Sequence, residues 1–126
     1  MTARCTRAVL LVKDVAQLST FYQALLGASV LHSDAEHAAL ALDGFKLFLH
    51  RMPLQPLQAE PASPGQRREQ AFLKLWFSVA SIPRARAAAL AHGGEVDRAP
   101  PAWVVEQQKI CLGHDPEGNV FQLFEE

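Results

Sequence analysis

The sequence predicts an α+β fold in which one strand–helix–strands unit occurs twice within a single domain. Three observations carry this. Apolar, β-branched runs precede stretches with helical spacing in both halves. Glycine and aspartate punctuate each half in the same order. The halves also overlay: a shift of 67 puts Val12 on Val79, Asp14 on Ser81, Val15 on Ile82 and Gly27 on Gly94. The later turns follow a shift of 74, which puts Asp43-Gly44 on Glu117-Gly118 and Leu49 on Leu123. Repetition of this kind is an architectural signal.

The elements follow in order. Residues 7–13 (RAVLLVK) read as a strand. Asp14 is suited to cap a helix, and Val15, Leu18, Tyr22 and Leu25 then recur at helical spacing with Phe21 beside them. Gly27 ends that helix. Three short strands are expected at Ser29–Ser33, Ala38–Leu42 and Lys46–Arg51, with Asp43-Gly44 as a hairpin turn. Residues 52–71 hold four prolines and a glycine and read as a linker or flap. Phe72–Val79 opens the second unit as a strand. Ser81 caps a helix with Pro83 in its first turn, and Gly93-Gly94 closes it. Glu95–Asp97 reads as a short strand, Trp103–Gly113 as one or two, Asp115–Asn119 as a tight turn and Val120–Glu125 as the last strand. Module 1 therefore covers about residues 5–51, the linker 52–71 and module 2 about 72–126, all within one domain spanning 1–126.

Bulk properties narrow the function. A chain of 126 residues forms one domain and buries roughly two-thirds of its unfolded surface. Net charge is -1 with no run of like charges, which argues against nonspecific nucleic-acid or membrane-surface binding. No apolar stretch approaches the roughly 20 residues of a membrane span, and Met1–Arg7 lacks a signal-peptide apolar region. Two cysteines, Cys5 and Cys111, imply neither a disulfide framework nor a structural zinc site. A cytoplasmic location is expected. An RNA-binding βαββ reading is disfavoured because the sheet lacks a basic aromatic face. Cys111 and His114 lie three apart, on opposite faces of a regular strand, which disfavours a thiol–imidazole dyad.

Two segments, RAVLLVKDVAQLSTFYQALLG (residues 7–27) and HDPEGNVFQLFEE (residues 114–126), together with KLWFSVASI (residues 74–82), are specific. They resemble the vicinal-oxygen-chelate superfamily of glyoxalases, bleomycin-resistance proteins and ring-cleaving dioxygenases. The strand–Asp–helix–Phe-Tyr–Leu-Gly opening and the Asp-Pro-x-Gly-Asn closing turn carry the resemblance. It implies two βαβββ modules whose mixed sheet curves around a concave cavity, with helices on the outer face. Leu47, Leu49, Leu75, Phe77, Phe121 and Leu123 are expected to face the helices. Arg7, Val9, Phe48, His50, Lys74, Trp76, Ser78, Gln122 and Phe124 are expected to face the cavity.

In metal-using members the ligands are histidines and glutamates at the start of each module's first strand and in its last strand. The matching positions here are Arg7, Phe48, Lys74 and Gln122. Arginine has no available lone pair, lysine must first lose a proton, phenylalanine offers nothing and a glutamine oxygen is a weak ligand. A register slip of two exchanges Phe48 for His50, one good ligand. His32, His37, His92 and His114 read as surface or satisfied residues. No metal, no cofactor and no catalytic residue are therefore expected. The cations at Arg7 and Lys74 imply an anionic or aromatic small-molecule ligand, gripped with Phe48, His50, Trp76, Gln122 and Phe124. Trp103 is a candidate rim. The competing structural reading pairs Arg7 and Lys74 with Glu106, Glu125 or Asp97. The competing functional reading is a metal-dependent lyase, isomerase or dioxygenase of the same superfamily. The resemblance also implies a homodimer.

Overall fold

A computed structural model describes residues 2–53, 67–103 and 109–126. Chain order begins with β1 (Arg7–Val12), α1 (Val15–Leu26), β2 (Ser29–Ser33), β3 (His37–Leu42) and β4 (Phe45–Arg51). It continues with β5 (Leu75–Val79), α2 (Ile82–Ala91), β6 (Glu95–Val96), β7 (Ile110–His114) and β8 (Val120–Glu125). They form two four-stranded mixed sheets, ordered β1-β4-β3-β2 and β5-β8-β7-β6. Each half is therefore one βαβββ module, with a parallel pair at β1–β4 or β5–β8 and antiparallel pairs elsewhere.

The repeat is visible in the hydrogen-bond register. Leu10 pairs with Leu49, and their equivalents Phe77 and Leu123 pair in the second sheet. The same shifts carry Val9–Phe48 onto Trp76–Gln122. The sheets share no strand pairing among the described residues and do not close into one.

Local chemistry sets the helix ends. The Asp14 carboxylate accepts a hydrogen bond from the Gln17 amide at 3.0 Å, and Ser81 Oγ accepts one from the Arg84 amide at 3.2 Å. Each satisfies an orphan first-turn donor. Gly27 takes φ 67° beyond α1, a left-handed turn that costs other residues about 1–2 kcal/mol. The second helix ends one residue earlier than expected, with His92 at its cap and Gly93 at φ 90°. Leu75, not Phe72, begins β5; Phe72 and Leu73 are exposed. The linker falls largely in residues 54–66, and part of the Trp103–Gly113 strand expectation in 104–108, both outside the described residues.

The expected helix-facing set forms the core. Leu47, Leu49 and Leu123 are fully buried, Phe121 and Phe77 nearly so, and Leu75 packs at the margin. Phe21 and Tyr22 of α1 reach across to the second sheet, contacting Phe121 and Phe77. Module 1 thus packs onto module 2 through the helix-covered sides of the sheets.

The closing turn adds a polar clasp at this seam. Asp115 is buried and its carboxylate accepts from Tyr22 Oη at 2.6 Å, Glu117 N at 2.9 Å, Asn119 N at 3.0 Å and Asn119 Nδ2 at 2.9 Å. Glu117 in turn accepts from the Lys13 and Asp14 amides at 2.7 and 2.8 Å. The sequence reading of Asp115, Glu117 and Asn119 as turn chemistry is correct as far as it goes. It misses that the turn also fastens the start of α1.

Candidate open-face binding site

The faces turned away from the helices hold the candidate site. Strand pairing places directly opposed side chains on one face. In the first sheet this gives three rows: Arg7, Lys46 and Ala41; Val9, Phe48 and Ala39; Leu11, His50 and His37. In the second sheet Trp76 lies beside Gln122 and Leu112, and Ser78 beside Phe124 and Ile110. Lys74 immediately precedes β5, in alternation with Trp76 and Ser78.

The aromatic side chains of the first sheet form a continuous band. The Arg7 guanidinium sits 5.8 Å from the centre of the Phe48 ring, within cation–π range. Phe48 meets His50 edge-on at 6.4 Å, and His50 meets His37 at 5.4 Å. Beside Arg7 stands Lys46, its cross-strand neighbour, a cation that sequence reasoning had not singled out. A hollow of about 370 Å³ opens at this end of the sheet, with Arg4, Arg7 and Lys46 in its lining. The signal was present in the sequence: once Arg7 is aligned with the start of β4, Lys46 must share its face.

Two of the three proposed structural partners, Glu125 and Asp97, are engaged elsewhere. Glu125 bonds Lys109 Nζ at 2.8 Å and also accepts from the Ile82 amide at 2.8 Å. Those two contacts, Lys109 first, hold its carboxyl below the usual carboxylate range. Asp97 pairs with Arg67. Glu106 lies outside the described residues. Neither Arg7 nor Lys74 forms an ion pair among the described residues.

The second open face is more apolar. Trp76 is 53% exposed and meets Trp103 edge-on at 6.2 Å. Gln122 Oε1 is buried and has no hydrogen-bond partner among the described residues. The expected cavity set thus divides between two sheets: Arg7, Phe48 and His50 on one, Trp76, Gln122 and Phe124 on the other. Cys111 packs in the core on the helix side while His114 lies on the opposite side, which removes the thiol–imidazole dyad.

A profile of the glyoxalase-like domain matches residues 7–124. The chain belongs to the glyoxalase-like family. A search of curated proteins finds no match. Among solved structures, a glyoxalase/bleomycin resistance protein from Albidiferax ferrireducens is similar at TM-score 0.67 and 20% identity, covering 96% of this chain and 97% of that one. A glyoxalase/bleomycin resistance protein/dioxygenase family enzyme from Burkholderia phytofirmans aligns at TM-score 0.70 and 16% identity, over 98% of each chain. A mutant of the fosfomycin resistance protein FosX from Listeria monocytogenes, complexed with Mn(II) and 1S,2S-dihydroxypropylphosphonic acid, aligns at TM-score 0.68 and 16% identity, over 98% of this chain and 90% of that one. At these identities the likeness establishes the fold.

The glyoxalase-like family's usual metal does not fit the four matching positions of this chain, Arg7, Phe48, Lys74 and Gln122. Arg7 and Lys74 are cationic donors, Phe48 has no donor atom, and the Gln122 carbonyl oxygen is the one lone-pair donor of the four. Among the described residues no helix is long and apolar enough to cross a membrane.

Proposed function

We propose that this glyoxalase-like chain is a metal-independent binding protein that sequesters a small anionic or aromatic ligand. The observation that carries the reading is Arg7, stacked on Phe48 beside Lys46 with no carboxylate partner among the described residues. Two neighbouring cations repel, and an anion between them relieves that repulsion. The guanidinium offers a planar fork to a carboxylate or phosphate, and the rings offer stacking surface. The Listeria protein holds a phosphonate together with Mn(II); here fixed positive side chains supply charge in place of an ion. Sequestration needs affinity and no bond-making, so no catalytic residue is assigned. The cytoplasm is the proposed setting.

The ligand-facing set is completed in a homodimer. Val9, Leu11 and Trp76 are 56%, 47% and 53% exposed on the two open faces, and no strand pairing joins the sheets among the described residues. Apolar surface of this size is costly to leave in water. A second copy, placing its second sheet over the first sheet of its neighbour, covers both faces and brings tryptophan and glutamine opposite the Arg7–Phe48–His50 band.

A thermal-shift screen with small aromatic carboxylates and phosphates tests the binding role. A ligand at 100 times its Kd stabilises the protein by about 2.7 kcal/mol. The wild type is expected to respond, and Arg7→Ala to lose most of the response. Equal responses from both proteins would sink the reading. Light scattering at micromolar concentration tests the assembly: the expected mass is twice 13.8 kDa, and a clean monomer overturns it.

A further inference from the structure

The β2–β3 hairpin gathers three side chains, His32, Asp34 and His37. His32 Nε2 lies 2.8 Å from Asp34 Oδ2, and His37 Nδ1 lies 3.4 Å from Asp34 Oδ1. One donor atom from each residue falls within 4.8 Å of the others. A fourth donor type stands next to them, since the His50 ring is 5.4 Å from that of His37.

Backbone geometry brings these groups together. Val30 pairs with Leu40, but His32, not Leu31, pairs with Ala39. Leu31 is therefore the extra residue of a β-bulge. In a regular ladder His32 would pair with Ala38 and share the helix-covered side with that fully buried residue. The bulge turns it to the open face, where His37 and His50 already point. Bulges commonly re-aim a side chain in this way. The Asp34 carboxylate is held as well: Oδ1 accepts from the Glu36 amide at 2.8 Å and the His37 amide at 2.9 Å.

Two neutral imidazoles and one carboxylate form a donor set suited to zinc and its late first-row neighbours. With bonds of about 2.0–2.2 Å, a tetrahedral ion holds its donors roughly 3.3 Å apart, a spacing within the 4.8 Å that separates the three donor atoms here. We propose that the β2–β3 hairpin binds one divalent zinc-class ion through His32 Nε2, Asp34 and His37 Nδ1, with His50 placed to join them. This site is distinct from Arg7, Phe48, Lys74 and Gln122, and it goes beyond the ligand-binding reading. All three hairpin residues are exposed in the single chain.

Calorimetric titration with zinc chloride alone tests the site. The wild-type protein is expected to take up one equivalent, and His32→Ala/His37→Ala to bind at least about tenfold more weakly. His92→Ala and Arg7→Ala are expected to bind as the wild type does, so a failed ligand screen leaves this result independent. No uptake at millimolar zinc, or a change below tenfold in the double variant, overturns the proposal. Should that variant not fold, long-range proton–nitrogen spectra of the wild type decide. Zinc must shift His32 Nε2 and His37 Nδ1; shifts confined to His92 or His114 overturn the site.

Discussion

Replacing Asp115 with alanine is expected to lower folding stability by about 3–5 kcal/mol, because several donors lose their acceptor at once and each buried unsatisfied one costs about 1–3 kcal/mol. The most exposed to this penalty is Tyr22 Oη, which is buried against Phe21, Phe77 and Phe121. The Glu117 and Asn119 amides sit nearer the surface, and water offsets part of their loss. Tyr22→Phe removes one donor and leaves Asp115 three, so its expected cost is smaller, about 1–2 kcal/mol. Urea unfolding of both variants checks the order, and a smaller loss for Asp115→Ala than for Tyr22→Phe would refute the clasp. Alkaline titration supplies a second readout, because Tyr22 is the chain's single tyrosine. Burial first, and the Asp115 charge next, push its phenol well above the ordinary 10.0. A raised folded value means the native state holds the proton more tightly than the unfolded chain. The resulting stability is complete below about pH 10 and is lost as pH rises past it. Tyrosinate absorbance should therefore appear together with unfolding, and its appearance in folded protein would contradict this.

Gly94→Ala is expected to cost about 3 kcal/mol, the upper end of the overpacking range. A β-carbon there would stand 2.4 Å from Phe21 Cε2 and 2.5 Å from the His114 carbonyl oxygen. Neither neighbour yields easily. Phe21 is fully buried and packed on Tyr22 and Phe121, while the carbonyl belongs to the backbone of β7. Gly27→Ala makes a useful contrast. Nothing lies within 4 Å of its β-carbon position, so the left-handed φ of 67° alone sets the cost at about 1–2 kcal/mol. Thermal unfolding of the pair should show the larger drop for Gly94→Ala; the reverse order would mean that crowding at the α1–β7 contact has been overstated.

These two positions also mark what sequence reading reaches. Asp14, Ser81 and Gly27 were legible because capping and left-handed turns are local: the partner lies within a few residues. The alternation of Leu47 and Leu49 against Phe48 and His50 was legible because a strand has a fixed period of two. Gly94 was legible only as a helix terminator, since its second constraint comes from Phe21, far away in sequence. Asp115 was read as a turn residue for the same reason, its phenol partner being 93 residues distant.

The candidate site divides along the same line. Which residues share a face followed from periodicity, so Arg7, Phe48 and His50 were placed on one face correctly. Lys46 shares the face of Phe48 and His50 by the same alternation, but its place beside Arg7 required the β1–β4 register, a long-range pairing that one sequence does not print. The histidine cluster was hidden by the bulge at Leu31. A regular β2 would put His32 and His37 on opposite sides of the sheet, and one inserted residue reverses that. Such irregularities break the rule on which face assignment rests.

The clasp at Asp115 has one further consequence. Its counterpart under the repeat shift of 74 is Ala41, a small apolar residue that accepts nothing from a side chain. The fastening therefore runs one way, from the tail of the second module to the head of the first. Two copies of the first module joined in tandem would keep both sheets and both helix caps yet lack the lock between them. The chain's symmetry is therefore one of outline, since the polar part of the seam has no second copy.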